Sequence, residues 1–266
     1  MPKQKLLMLV ASVLIIVGLI GVFFTFPLSG SESKIEKTET IQNTEINKIA
    51  VKTENARMDV IPTSDDYITV EFSAPESRQN KYKLEIEEQG NSLEIELKEK
   101  YLRFFQLDFT FSGPELTIYL PEKQWEELSM RNINGKIVAN NITVSNLNAK
   151  TTNGVVHLTD IETNSATATS KNGNITFEHV DGEIAMDVVN GNTKLITDNL
   201  DRSIQLESVN GTIKIETEEE PTNTTIEADV KNGKVSIFGD DTRNVRFGEG
   251  KHSVKLKTVN GKISVN

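Results

Sequence analysis

The chain has 266 residues, 39 acidic against 29 basic side chains, a net charge of −10 and no cysteine. The missing thiols exclude disulfides, thiolate metal sites, cysteine nucleophiles and a lipid-bearing N-terminal cysteine. The acidic balance argues against nucleic acid, whose phosphates are held by Lys and Arg that displace counterions.

Residues 1–5, with Lys3 and Lys5, read as a short cytoplasmic N-terminus. Residues 6–28 (LLMLVASVLIIVGLIGVFFTFPL) hold no charge. At about 1.5 Å per residue they would span ~35 Å as a helix, enough for a hydrocarbon core of roughly 30 Å. The lysines ahead of them orient such a helix with the rest of the chain outside. A cleaved signal peptide is the competing reading, but its apolar region would run only about 7–15 residues, and Pro27-Leu28-Ser29-Gly30 is a poor cleavage site. The sequence thus predicts a single-pass cell-membrane protein with an extracytoplasmic C-terminal domain. Beyond the helix, 27 basic and 39 acidic residues leave that domain at −12. Residues 29–47 are polar, mixed in charge and without periodicity, and read as a linker. Nineteen flexible residues span on the order of 24 Å, which would keep the domain near the bilayer.

Residues 48–127 read as N-terminal strands, a hairpin and a cap for a repeat region beyond them. NKIAVKTENARMDVIP resembles one degenerate repeat with Asn55-Ala56 at its centre. Residues 83–100 form two alternating strands around Gln89-Gly90-Asn91-Ser92, a hairpin signature. LTIYLP at 116–121 is a further strand. Between them FFQLDFTF puts Phe105, Leu107, Phe109 and Phe111 on one strand face, with Phe104 beside them. These five either plug the end of a core or form an exposed patch for an envelope protein or the bilayer.

From residue 128 to 266 one dipeptide recurs: Asn134-Gly135, Asn153-Gly154, Asn172-Gly173, Asn190-Gly191, Asn210-Gly211, Asn232-Gly233 and Asn260-Gly261. The glycine intervals are 19, 19, 18, 20, 22 and 28. The positions six and four residues before each Asn and two and four after each Gly are apolar, with Thr193 the one exception among 28. A meander of hairpins would need tight turns there but has no reason to repeat the dipeptide and its flanks. A β-solenoid does: stacked coils place equivalent residues about 4.8 Å apart, where Asn amides can bond in a ladder and Gly avoids crowding. The expectation is an all-β solenoid with coils of about 19 residues and these corners as structural elements. Residues 218–225 and 239–252 should project as loops. The final edge after Asn266 should be frayed, covered by the 239–252 loop or paired with another subunit, because an open edge invites aggregation.

Residues for chemistry are sparse. A polysaccharide-active β-helix would need two convergent carboxylates. The candidates Asp160, Asp181, Asp198, Asp201, Asp240 and Asp241 fall mainly in turn-like stretches, where Asp serves local hydrogen bonding. His157, His179 and His252 lack metal-ligand spacing, and no serine sits in a nucleophile-elbow context. Asn141, Asn174, Asn210 and Asn223 lie in N-x-[ST] sequons, frequent by chance in an Asn/Thr-rich chain. No catalytic residue, metal site or cofactor is expected.

The charged lead, the anchor, Leu116-Thr117-Ile118-Tyr119-Leu120-Pro121 and the seven Asn-Gly corners together resemble the LiaG-like proteins of bacteria, over nearly the whole chain. That resemblance implies a β-helical ectodomain of the adhesin-like, membrane-anchored kind, a domain without assigned activity, encoded in some members beside envelope-stress signalling systems. It supplies no catalytic residue. The expected function is a non-enzymatic binding or scaffold module of the cell envelope, with an envelope protein or wall polymer as partner. The alternatives are a polysaccharide-active enzyme and a structural protein that self-associates through its coil ends.

Overall fold

Side chains alternate across a strand, so the apolar offsets on either side of each Asn-Gly pair must share one face of two successive arms. The computed structural model describes residues 34–76, 81–100 and 113–266, and these follow that pattern as strands and turns. β1 (Lys34–Ile41) precedes the first coil, which consists of β2 (Lys48–Asn55) and β3 (Arg57–Thr63) on either side of Asn55-Ala56. After β4 (Ile68–Pro75), β5 (Tyr82–Gln89), β6 (Ser92–Glu99) and β7 (Glu115–Pro121), the regular coils begin. β8 (Trp125–Asn172) runs without a break through the corners at Asn134 and Asn153. β9 (Ile175–Val180), β10 (Glu183–Asn190), β11 (Thr193–Thr197), β12 (Ile204–Asn210) and β13 (Ile213–Thr217) are the arms of the next corners. β14 (Thr224–Ile237), β15 (Asn244–Arg246) and β16 (His252–Val265) complete the chain.

The coils stack in parallel and in register. Asn55 lies beside Asn134, Asn172 beside Asn190, and Asn190 beside Asn210. The apolar offsets form the interior: Ile184 and Met186, Ile204 and Leu206, Ile213 and Ile215 are all buried. Thr193, the polar exception in the pattern, is buried among them. The equivalents seven residues after Gly, Ile142, Ile161 and Val180, are buried too. Just before them the backbone turns a second corner at Asn141, Asp160 and His179, each in the left-handed region with φ of 54°, 52° and 50°.

Antiparallel strands close the stack at its N-terminal end. β6 pairs with β2 and carries β5 as a hairpin partner. β7 pairs with β3, β4 lies antiparallel to β7, and β1 antiparallel to β4. The expected linker at 29–47 is therefore corrected from residue 34 onward, since Lys34–Ile41 is a paired strand. Its pairing with β4, from Lys34 opposite Pro75 to Ile41 opposite Ile68, rests on backbone groups, which its polar composition conceals. Trp125 is buried where the regular stack starts. Lys123 lies 4.3 Å from the centre of the Trp125 ring and donates to the carbonyls of Thr44 and Ile46 at 3.1 and 2.8 Å. Burial pushes the Lys123 ammonium below its ordinary pKa.

At the other end the order in space departs from the order in sequence. β16 pairs with β12 and β13 on one side and with β14 on the other, so the last coil of the chain is inserted between the two before it. The terminal coil of the stack is thus that of Asn232-Gly233. The 239–252 segment does not project as a loop. β15 pairs antiparallel with residues 225–227 of β14, and Phe238 and Phe247 meet edge to face at 5.7 Å against the core. The 218–225 segment is likewise folded down, held by Asp201, which accepts hydrogen bonds from Thr222, Asn223 and Thr224 at 2.7 to 3.2 Å. Burial works against the Asp201 carboxylate, but these donors outweigh it and hold its pKa below the ordinary range.

The insertion interleaves opposite charges, although Asp187 and Glu207 remain in register elsewhere in the same column. Lys255 stands in register with Gln205 on one side and Glu227 on the other, and Lys257 with Glu207 and Asp229. Without β16 between them, β12 and β14 would bring Glu207 against Asp229, and like charges directly opposite are destabilising.

The proposed transmembrane helix at 6–28 and the aromatic segment Phe104–Phe111 lie outside the described residues. Among the described residues no helix is long and apolar enough to cross a membrane.

Candidate functional surface

The corners make one continuous edge. A Cβ placed on any of the seven corner glycines would stand 1.6 to 2.2 Å from the corner carbonyl oxygen of the neighbouring coil. No side chain fits there, so glycine is demanded by the close approach of two backbones. Ala56 stands at the first coil, whose neighbours β6 and β7 are separated in sequence by residues 100–114 and not by a dipeptide.

The asparagines beside these glycines bond to one another in a single direction. Asn134 donates its side-chain amide to Asn55, Asn153 to Asn134, Asn172 to Asn153, Asn190 to Asn172, Asn210 to Asn190, Asn260 to Asn210 and Asn232 to Asn260, at 2.5 to 2.9 Å. At the lower end Asn55 donates to Glu99 at 2.9 Å. A second set of polar side chains lies inside the corner, two residues before six of the eight corner asparagines, with Val188 and Val230 at the other two. The buried side chains of Asn132, Ser208 and Thr258 donate to the carbonyls of Ala56, Gly191 and Gly211 at 2.6, 3.2 and 3.1 Å. The apolar offsets gave no hint of this inner polar set. The recurrence of Thr, Asn and Ser at that offset in Thr53, Asn132, Thr151, Ser170, Ser208 and Thr258 was its signal.

Immediately before the corner Asn the side chains face outward. Ile133, Val189 and Val209, exposed by 47%, 41% and 40%, all occupy this position. In the stack Val189, Val209 and Val259 are consecutive, bordered by the amides of Asn190, Asn210 and Asn260. The result is an apolar and amide stripe three coils long, flanked in the same column by Lys171 and Lys231.

The candidate carboxylates separate. Asp160 occupies a second corner, Asp201 holds the 222–224 segment, Asp181 lies 3.8 Å from Arg202, and Asp240 bridges back to Ile237. Asp198 meets His179 at 3.0 Å, and with Glu218 these present ligand-type atoms within 4.8 Å of one another. Sequence spacing hides this group because its members sit one coil apart, at intervals of 19 and 20 residues. The hydrogen bond and charge of Asp198 raise the His179 pKa. All three side chains are exposed on an outward corner, where water competes for each donor and acceptor. Such a trio lacks the enclosed, preorganised setting that carboxylate catalysis uses. His157 is 3.9 Å from Glu178, and His252 begins β16.

A comparison with curated proteins finds no significant match. Among solved structures, a "putative cell adhesion protein" of Clostridium sporogenes is 15% identical, with a TM-score of 0.39, over 88% of this chain and 99% of that one. A "putative adhesin" of Bacteroides fragilis is 16% identical, with a TM-score of 0.46, over 88% and 99% of the two chains. Another from Parabacteroides merdae is 13% identical, with a TM-score of 0.45, over 90% and 98%. The model of the Toastrack DUF4097 family matches residues 46–195 and 140–266, and so takes in the first coil and every Asn-Gly corner. The chain belongs to the Toastrack DUF4097 family.

Proposed function

We propose that this chain is a non-enzymatic, adhesin-like binding or scaffold module of the bacterial cell envelope, of the LiaG-like kind. Residues 6–28 would anchor it in the cell membrane with residues 34–266 outside, close to the bilayer. The observation that carries the reading is the corner edge: a backbone-tight stack that repeats the same outward groups in register, with Val189, Val209 and Val259 aligned beside the amide ladder. A rigid repeating surface binds a repeating or flat partner at little entropic cost, because nothing needs ordering on association. The partner would be an envelope protein or wall polymer, and the module would serve the envelope's response to stress.

Two experiments test this. In cells expressing the full chain with Lys231→Cys, a membrane-impermeant maleimide should label intact cells, since the natural chain offers no competing thiol. Labelling only after lysis would reject the topology. The purified full chain should retain envelope protein or wall material, and Val189→Ser/Val209→Ser should release it with unchanged thermal stability. Turnover of a wall polymer that is lost on neutralising Asp198 and Glu218 would replace the binding module with an enzyme.

A further inference from the structure

The outward column three residues before each corner Asn carries charge, and its sign is distributed unevenly along the stack. Near the C-terminal end Lys257 lies between Glu207 and Asp229, and Asp187 stands on the other side of Glu207. On the opposite arm Lys194 and Lys214 both pair with Glu216. At the N-terminal end Glu85 is held by Lys83 and Lys98, which pushes its pKa down to about 2. Lys194 and Lys214 are themselves in register, but Glu216 bridges them; the segment between the two ends has no such bridging carboxylate among the described ion pairs. Lys52 is in register with Arg131, and the next coil puts Lys150 above Arg131, as Asn153 stands above Asn134. Three cations succeed one another at the strand spacing of about 4.8 Å. Lys52 pairs with Glu94. Arg131 and Lys150 are exposed, and the described ion pairs give neither of them a carboxylate.

A stack of like charges with no carboxylate bridging it costs stability, and this one stands in a chain of net charge −10. It lines a groove of about 300 Å³, together with Glu54, Glu96 and the exposed Ile133. Glu96 is engaged by Lys98 at 2.8 Å. We propose that the Lys52–Arg131–Lys150 ladder binds a linear phosphodiester polymer of a small polyol, and this inference rests on the binding-module reading. Guanidinium and ammonium groups spaced along a rigid line suit successive phosphates, and Ile133 offers an apolar contact for the carbon skeleton between them. Single-stranded nucleic acid shares the phosphates but calls for aromatic side chains to stack its bases, and none of the groove's described residues is aromatic.

The test is calorimetric titration of the purified full chain with poly(glycerol phosphate), alongside hyaluronate as a carboxylate polymer and dextran as a neutral one. Poly(glycerol phosphate) should bind. With about two to three phosphates neutralised, its affinity should fall roughly tenfold between 50 and 200 mM salt. Arg131→Gln/Lys150→Gln should weaken it about tenfold or more, whereas Lys234→Gln/Lys262→Gln, which removes the same charge from an exposed in-register pair elsewhere, should leave it unchanged. Unchanged thermal midpoints in both variants establish that folding is intact. If Arg131→Gln/Lys150→Gln lowers its midpoint, Arg131→Lys/Lys150→Arg supplies the comparison and should retain binding. Absence of binding by the natural chain, equal loss in the control variant, or equal affinity for hyaluronate each overturns the proposal. Retention of envelope material by the valine stripe without phosphodiester binding would sink this inference and leave the binding module standing.

Discussion

The coils of Gly135, Gly154 and Gly173 turn two corners, and these obey different rules. At the Asn-Gly corner glycine is universal, although only Gly135, Gly173, Gly191 and Gly233 of the seven have φ between 128° and 157° in the region that L-residues avoid. At the second corner Asn141, Asp160 and His179 all adopt left-handed φ near 50°, and none is glycine. Backbone conformation alone would predict the reverse. The decisive difference is what lies beyond the Cβ. At the first corner it would meet the backbone of the next coil; at the second, the side chain points outward, and Asn and Asp tolerate the left-handed region best. The repetition that makes this sequence conspicuous is thus imposed by stacking distance and not by turning.

The largest test of that contrast is Gly173→Ala. Its Cβ would fall 1.8 Å from the Gly154 carbonyl oxygen, so the coils must part. The expected loss is about 3 kcal/mol or more, at the upper end of overpacking effects, read as a drop in urea midpoint of the full chain. Gly90→Ala, at φ 62° with open space around it, should cost roughly 1–2 kcal/mol through strain alone. Gly113→Ala, with neither constraint, should stay within about 0.5 kcal/mol. Equal effects at Gly173 and Gly90 would return the explanation to backbone conformation.

A second test concerns the coil that is out of order. Lys257→Glu would put four carboxylates in register, Asp187, Glu207, the new Glu and Asp229. Cross-strand pairs are worth roughly 0.2–1 kcal/mol each, so reversing both neighbours should cost about 1–2 kcal/mol. Salt should diminish the loss, and Glu207→Lys in the same chain should restore part of it. A neutral result would remove charge as the reason for the insertion.

The regular coils could be read from the sequence because each interior position repeats a residue type at a fixed offset. Asn134 through Asn260 mark the corners, and the apolar neighbours mark the inner face. Strand alternation then leaves one arrangement that buries them all. The insertion of β16 was not legible in that pattern, since Val254, Leu256 and Ile263 would suit any place in the stack. Only the register partners of Lys255 and Lys257 distinguish one place from another, and these are properties of pairs. The same holds for His179, Asp198 and Glu218, which become neighbours only when the coil length is applied between coils. β1 was hidden for a different reason: its sequence KIEKTETI carries little apolar signal, and its partner β4 supplies the hydrogen-bonding edge.

The amide ladder allows a finer comparison, between the middle of the corner edge and its outer end. Asn172 both donates to Asn153 and accepts from Asn190, whereas Asn232 makes one ladder bond, to Asn260. These bonds are exposed, so each is worth little more than about 0.5 kcal/mol. Asn172→Ala should cost about 1 kcal/mol and Asn232→Ala about half as much, by chemical denaturation. Equal losses would mean that the asparagines act through their own corner conformation and not through the ladder.

The smallest effect belongs to the second corner. His179 accepts strain that Asn or Asp would bear more easily, and in return its ring meets Asp198, with Asp160 and Glu218 contributing further negative charge. Arg202 lies 3.8 Å from Asp181, and Asp181 and Asp198 favour its charge against the burial that opposes it. The His179 pKa is raised in the folded chain, so the protonated ring stabilises the fold fully below the ordinary histidine value of about 6.5 and ceases to do so as pH rises through the folded value. The natural chain should therefore lose stability slightly between pH 6 and 8. The site is exposed and screened, so the change should be about 1–2 °C in thermal midpoint. His179→Asn should flatten that slope and, because Asn accepts left-handed φ more readily, raise the midpoint at pH 8. A variant that flattens the slope but lowers the midpoint at pH 8 would show that the neutral imidazole also supports the corner, and that the second corner is more constrained than its variable sequence suggests.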